Sequence, residues 1–188
     1  MRQIAVLSLI LSLAACAGST QTAKPVVTLT PEQTKAFDSG IDFVGSLEGL
    51  EGRWREDWDR DLQERVGVAQ FVGLVTVRTL RTDTDPQQHV TYRLVAHVDR
   101  ELSGKPSHGK ELELAVRDSA LGFTSVHENI SRITDRQYVA YVVTGPEGEL
   151  WHLSPASPEV VSETESVISR LGRGMKQNSP ERVIVRTN

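Results

Sequence analysis

The chain of 188 residues contains a single cysteine, Cys16, and the position of this thiol restricts its chemistry. Without a second cysteine there is no intramolecular disulfide, no C-x-x-C redox pair and no cysteine-pair zinc site. Met1 and Arg2 give a basic start, and an almost entirely aliphatic run over residues 4–13 follows. A basic start, a short apolar run and small residues before a cleavage point are typical of an export signal.

The sequence Leu13-Ala14-Ala15-Cys16 resembles a bacterial lipobox. The resemblance implies that the thiol receives a diacylglyceryl group, that a dedicated peptidase cleaves before Cys16, and that the new amine is acylated too. Each buried methylene contributes about 0.8 kcal/mol, and stable anchoring needs more than one acyl chain. We therefore predict a signal peptide over residues 1–15, lipidation at Cys16 and attachment to a membrane through its acyl chains.

Two other interpretations of this segment stay open. Ala15-Cys16-Ala17 also fits an ordinary secretory cleavage site, which would leave a soluble protein beginning at Gly18. An uncleaved anchor is the third, although the apolar run is shorter than the roughly 20 residues that span a bilayer. In the Gram-negative lipoproteins that this segment resembles, a residue other than aspartate after the cysteine favours the outer membrane. Ala17 thus predicts an outer-membrane lipoprotein, on its periplasmic or its surface face.

The length and composition are those of a soluble globular protein with one domain, or with one domain plus extensions. Hydrophobic residues make up 38% and charged residues 24%, with a net charge of −4. A mildly acidic chain has no basic field to attract phosphate backbones, so nucleic acid is excluded as an expected partner. We predict a small, polar tether over residues 16–29, N-terminal helices over 30–65, a β-rich domain with a C-terminal helix over 66–172, and a polar tail over 173–188.

Helix signals flank the β-rich part. Thr30, Pro31 and Gln33 form a capping-box-like start for a helix over residues 31–47. A second helix is predicted over 53–65, where Trp54, Trp58 and Leu62 recur every four residues. Such a stripe is expected to dock the helix on its own sheet, the alternative being a surface that stacks a ligand. A third helix begins at residue 158, and Gly172 is predicted to end it.

Between the helices, alternation of apolar and polar residues predicts strands. They are expected at residues 69–81, 89–102, 111–117, 122–127, 137–144 and 149–153, with 129–136 either a turn or one helical turn. The first two strands form an antiparallel hairpin. The predicted fold is α+β: an antiparallel sheet or small barrel of about five or six strands, two helices before it and one after it. The run over residues 182–186 either adds an edge strand or frays.

The strand beginning Gln70-Phe71-Val72-Gly73-Leu74-Val75, the strand end Leu102-Ser103-Gly104-Lys105 and the later Tyr138-Val139 are faintly similar to netrin-type or OB barrels. The resemblance covers residues 66–143. It implies a small closed sheet, and with it an inhibitor or a carrier of small ligands or lipids. The terminal disulfides of the eukaryotic members are absent here.

Residues that could act as catalysts or metal ligands are few. The chain contains no G-x-S-x-G, S-x-x-K, H-E-x-x-H, P-loop or G-x-G-x-x-G motif, and we predict no cofactor and no metal site. His89 and His97 share a strand face, but eight residues along a strand cover about 26 Å, so they cannot share an ion. Arg93 and Asp99 are expected to be solvated cross-strand charge partners. His108 and His127 lie near predicted turns.

Trp151-His152-Leu153-Ser154-Pro155 is the local stretch that could form a hydrolytic site. A nucleophilic serine would need a base within hydrogen-bond reach and a third group that orients the base. The favoured alternative places His152 and Trp151 on opposite faces of a closing strand, with Ser154 beginning the link to the last helix.

These observations predict a membrane-anchored envelope lipoprotein that is not an enzyme and that binds or scaffolds an envelope protein or polymer. The first alternative is an inhibitor or a small-ligand or lipid carrier on an OB-like barrel. The second is a periplasmic hydrolase that uses His152 or His127.

Overall fold

The computed structural model describes residues 25–107, 109–146 and 148–177. The predicted signal peptide, Cys16, His108 and the run over residues 182–186 lie outside these ranges. The helices are α1 (Pro31–Ala36), α2 (Arg53–Val68), α3 (Phe123–His127), α4 (Ile130–Ile133) and α5 (Pro158–Gln177). The strands are β1 (Gly40–Ile41), β2 (Phe71–Thr84), β3 (Val90–Gly104), β4 (Glu111–Arg117), β5 (Gln137–Gly145) and β6 (Gly148–Pro155).

The strands form one curled sheet, a half-barrel, in the order β1-β6-β5-β2-β3-β4. The pair β1–β6 is parallel and the other pairs are antiparallel, including the predicted β2–β3 hairpin. The β2–β3 register shifts three times between Val72 and Thr79. Such bulges bend a strand and increase its twist, which favours a curled sheet over a flat one. The α+β fold with a barrel-like sheet is therefore confirmed.

Two apolar clusters lie on opposite faces of the sheet. The alternating residues of β3 that were predicted to point inward, such as Tyr92, Leu94 and Ala96, belong to the inner cluster. Strand β5 is buried on both faces: Ala140 lies in the inner cluster, and Tyr141 lies in the outer one beneath α2 and α5. A strand covered on both faces has a nearly continuous apolar sequence, as residues 137–144 do.

The helix predicted over residues 31–47 is wrong in length, because α1 ends at Ala36. Its predicted start is confirmed: Thr30 and Gln33 form the reciprocal capping box. After α1 the backbone turns at Ser39, which has a φ of 55°, and Gly40–Ile41 pairs with β6. Hydrogen bonds to β6 replace those that a longer helix would have made, so tertiary structure overrides the local helical pattern.

The predicted tryptophan stripe of α2 is wrong at its first member. Trp58 and Leu62 are buried, whereas 76% of Trp54 is exposed. Trp54 is the second residue of α2, and the buried face of the helix is formed further along by Trp58, Leu62 and Arg65.

Residues 122–127, predicted as a strand, form the short helix α3 and the residue before it. A short apolar run does not distinguish strand from helix by periodicity. Here Gly122 donates its N–H to the carbonyl of Asp38, and the helix follows directly. The open choice for residues 129–136 is decided in favour of a helical turn, α4.

The ends of the body also differ from prediction. Helix α5 continues through Gly172 and Gly174 to Gln177, since each glycine costs a helix only about 1 kcal/mol. At the other end, Val27 and Leu29 pack on the outer cluster, and the N–H of Val27 donates to the carbonyl of Thr144. Residues 25–29, expected to be tether, therefore lie against the body.

Gly40 and Gly122 make a backbone contact that a side chain would obstruct. A Cβ on Gly122 would lie 2.4 Å from the Cα of Gly40. We expect Gly122→Ala to destabilise the protein by about 1–3 kcal/mol in urea unfolding, because the two segments must move apart. Gly67→Ala is the control: a Cβ there meets open space on α2, so we expect stabilisation of up to about 1 kcal/mol. Equal effects of the two substitutions would contradict the role of this contact.

Candidate functional site

The structure brings His152 and Ser154 together with two aspartates that are more than a hundred residues away. His152 Nδ1 lies 2.9 Å from Asp38 Oδ1, and His152 Nε2 lies 3.0 Å from Asp42 Oδ2. The hydroxyl of Ser154 donates to the same Asp42 oxygen at 2.6 Å. His152 and Ser154 are buried.

The parallel pairing of β1 with β6 creates this arrangement. Gly40 lies opposite His152, and Ile41 lies opposite Leu153. Asp38 and Asp42 therefore flank the two-residue strand and reach the imidazole from its two sides. Gly40 also makes the close backbone contact with Gly122 described above. The same glycine therefore takes part both in that contact and in the pairing with β6.

His152 and Arg65 are the basic side chains of the network. A carboxylate only accepts hydrogen bonds, so both imidazole contacts are hydrogen bonds only when both ring nitrogens of His152 carry protons. Arg65 contributes a guanidinium: its Nη1 lies 3.8 Å from Asp42 Oδ2, and its Nε donates to the carbonyl of Ala36 at 2.8 Å. The two aspartates are thus contacted by one imidazole and one guanidinium.

Both aspartates have a lowered pKa. Burial by itself would raise the pKa of Asp42, but the hydrogen bond and charge of His152, the Ser154 hydroxyl and Arg65 outweigh it. For Asp38, burial is again opposed by His152 and Arg65, together with the N–H of Gly40, and its pKa is also lowered. Both side chains are therefore held in the ionised form.

The geometry does not arrange Ser154 as a nucleophile. Its hydroxyl donates to Asp42 instead of to an imidazole nitrogen, and both nitrogens of His152 contact carboxylates. An activated serine needs the opposite arrangement, with the base free to accept the hydroxyl proton. The predicted placement of His152 and Trp151 on opposite faces is confirmed. Ser154 does not begin the link to α5, because it is a buried residue inside β6.

His127 has a different environment. Its Nδ1 lies 2.6 Å from the hydroxyl of Tyr92, and its ring stacks on Phe123 with 5.7 Å between ring centroids. Tyr92 is a member of the inner core cluster, so His127 covers an aromatic edge of that core. These contacts give it a packing role, and the nucleophile and carboxylate that the hydrolase hypothesis requires are not among them.

Arg93 forms the predicted cross-strand ion pairs, since it donates to Asp83 and Glu113. Asp99, also predicted to be a charge partner, accepts hydrogen bonds from the neutral side chains of Thr76 and Gln137. Within residues 25–107, 109–146 and 148–177, no group of three or more His, Cys, Asp or Glu side chains is placed to hold a metal ion.

A cleft opens where the half-barrel fails to close. Strand β4 is the last strand on its side of the described sheet, and it faces β6 without pairing to it. The indole N–H of Trp151 spans the gap and donates to the carbonyl of Ala115 at 2.9 Å. Beside this bridge lies a cavity of about 530 Å³, bounded by β4, the start of β6 and the chain after α1. Its polar lining includes Asp38, Glu113, Arg117 and Glu149.

Asp38 connects the cleft to the buried network. It lines the cavity, and its Oδ1 accepts from His152 and from the N–H of Gly40. A second cavity of about 420 Å³ continues along β4, where Glu111 joins Glu113 and Glu149 in the lining. The residue pattern alone did not point to Asp38, Asp42 or the β4 edge. The only local signal was an aspartate on each side of the short Gly40–Ile41 segment.

No protein-family model and no curated protein matches this chain. Of the helices in the described part of the chain, none combines the length and the apolar character needed to cross a membrane.

The buried network predicts a loss of stability in acid. Because the pKa values of Asp38 and Asp42 are lower in the folded state, the unfolded chain binds more protons between the folded values and the unfolded value near 3.8. The free energy of unfolding should therefore fall as the pH drops below about 5 and through this window. Urea unfolding at several pH values measures this slope.

Asp42→Asn should reduce that slope and should cost about 3 kcal/mol at pH 7, because it leaves buried cations with one partner fewer. Asp99→Asn is the matched control. Asp99 also has a lowered pKa, but it is exposed, so its removal should cost less than about 1 kcal/mol. An acid slope that is the same in Asp42→Asn and in the unsubstituted protein would exclude the network as its source.

Proposed function

We propose that this protein is a lipid-anchored envelope protein with a non-catalytic binding or scaffolding role, and that the cleft between β4 and β6 is its ligand seat. The main evidence for a binding role is the open side of the half-barrel. A cavity of about 530 Å³ lies there, within the size range of ordinary ligand sites. The anchor is proposed from the lipobox-like residues that end at Cys16.

The place where residues 25–27 join the body supports this proposal. Gln70 donates from its side chain to the carbonyl of Pro25, and Val27 bonds to Thr144. Thr144 pairs with Glu149, which lines the cleft. The chain that leads to the anchor thus joins the body beside the cleft. Residues 17–24 can span at most about 30 Å, so an anchored body would hold its ligand close to the bilayer.

The contacts of the buried network also favour a non-catalytic role. They connect the segment around β1 to β6, the hydroxyl of Ser154 donates to Asp42, and both ring nitrogens of His152 contact carboxylates. The carrier alternative would need space for a ligand inside the sheet. The interior of the half-barrel is filled by side chains such as Trp151, Tyr138 and Phe71, which disfavours that alternative. The similarity to netrin-type or OB barrels stays a prediction, and the proposal does not depend on it.

The anchor is tested by substitution of Cys16. In Cys16→Ser, the hydroxyl cannot form the thioether to the diacylglyceryl group. We therefore expect the precursor to accumulate and the mature protein to disappear from the sedimented membrane fraction. Intact mass measurement of the wild-type protein should show the added acyl chains.

Ala17→Asp is the matched control, since it keeps the cysteine. We expect it to stay lipidated and bound to membranes but to move from the outer to the inner membrane in a sucrose gradient. Unchanged processing and sedimentation of Cys16→Ser would refute the anchor.

The cleft is tested by photo-cross-linking in intact cells. A photoreactive residue at Leu121, which lines the cleft and is 77% exposed, should give discrete adducts that mass spectrometry identifies. Trp54 is the control, because it is equally exposed, at 76%, and does not line the cleft. The same adducts from both positions, or adducts from neither, would contradict a ligand seat at the cleft.

A further inference from the structure

We propose that the cleft takes an extended, basic segment of another envelope protein, which adds as a strand to the outer edge of β4. This inference deepens the proposed function and rests on it. Strand addition of this kind uses main-chain hydrogen bonds for affinity and side-chain contacts for specificity.

The register of β4 shows which backbone groups face the cleft. The carbonyl of Lys110 accepts from Val98, and the N–H of Asp118 donates to Val90. In an antiparallel pair, alternate residues direct both backbone groups to the partner strand. The even-numbered residues of β4 therefore bond to β3. The N–H and C=O groups of Glu111, Glu113, Ala115 and Arg117 point to the cleft.

Two contacts limit the length of this edge. The carbonyl of Ala115 already accepts from the Trp151 indole, and the carbonyl of Arg117 accepts from the N–H of Ala120. Between Glu111 and the N–H of Ala115, the backbone groups that face away from β3 take part neither in the β3–β4 pairing nor in these two contacts. This stretch is long enough for about five residues of an added strand, or about 16 Å at 3.3 Å per residue. The cavity beside Glu111, of about 420 Å³, extends along this stretch.

The charge of the lining selects the occupant. Glu111 and Glu113 lie on β4 itself, and Arg117 is the one basic side chain in the linings of the two described cavities. Asp38 also lines the first cavity, but it already contacts His152 within the network. Arg93 is shared between Glu113 and Asp83, so it offsets only part of the negative charge of this edge. The carboxylates of Glu111 and Glu113 therefore favour a ligand with lysine or arginine side chains.

The same charges disfavour a second copy of this chain. Antiparallel pairing of two β4 edges would bring Glu111 and Glu113 of one copy next to the same residues of the other. Like charges directly opposite each other destabilise a strand pair. The chain's own residues 182–186, which are basic and β-prone, are the other competing occupant, and the experiment separates them from a foreign segment.

The test uses isothermal titration calorimetry to measure how tightly synthetic peptides bind to the full processed chain in detergent. The probe is the acetylated, amidated heptapeptide Lys-Val-Lys-Val-Lys-Val-Lys. We expect it to bind, and we expect its counterpart with glutamate in place of lysine to bind at least tenfold more weakly. N-methylation of alternate amides should weaken binding tenfold for the one set that faces β4 and leave the other set unchanged.

Protein variants locate the site. The double variant Glu111→Gln and Glu113→Gln should weaken the basic peptide about tenfold. Its control is Glu163→Gln with Glu165→Gln, two glutamates at the same spacing on α5, which should leave the affinity unchanged. Circular dichroism and urea unfolding confirm that all variants fold.

Three results would overturn the inference. The acidic and basic peptides could bind with equal affinity, or both N-methylated peptides could bind as tightly as the parent. The third result is an affinity for the basic peptide that does not change in the double variant of Glu111 and Glu113. Binding that appears only after truncation at Gln177 would assign the edge to the chain's own end, and a β4-dependent dimer in sedimentation equilibrium would assign it to a second copy. If no peptide binds but the Leu121 adducts persist, strand addition is refuted and the proposed ligand seat is retained. If those adducts are also absent, both fail.

Discussion

The parallel pairing of β1 with β6 depends on a polar network of two aspartates, one histidine and one arginine. Two residues of strand would contribute little by themselves, but Asp38 and Asp42 flank them and reach the two nitrogens of His152. Arg65 joins from α2 and so connects the helix to the same point. If Asp42 were removed, the buried His152 and Arg65 would each lose a carboxylate partner, which costs more than the loss of an exposed ion pair. The network therefore fixes how the N-terminal segment crosses the end of the sheet.

That segment in turn shapes the cleft. Asp38 belongs both to the network and to the cavity wall, and the chain around it closes one side of the space between β4 and β6. The curled sheet brings the two strands close without pairing them, so a single side-chain bond from Trp151 spans the gap. An edge that is left in this state retains main-chain donors and acceptors, and such edges are suited to recognising another strand.

The proposals for the two ends of the molecule are independent in their physical basis. Anchoring depends on the lipobox-like residues that end at Cys16 and on the energy of inserting acyl chains. Ligand binding depends on the geometry and charge of the β4 edge. The two proposals share residues 25–29, which lie against the body next to the cleft and would set the distance between the proposed partner and the proposed anchor.

The sequence determined the local features: the capping box at Thr30, the β2–β3 hairpin, the doubly buried β5 and the amphipathic α5 all follow from residue pattern within short windows. The export signal stays a prediction from the same kind of pattern. The residue pattern failed wherever a distant contact outweighed local preference, as in the early end of α1, the helix at Phe123–His127 and the exposed Trp54. The candidate site could not be predicted, because Asp38 and Asp42 meet His152 only when β1 and β6 pair across more than a hundred residues. The open edge of β4 was equally beyond prediction, since the curvature of the whole sheet decides whether a barrel closes.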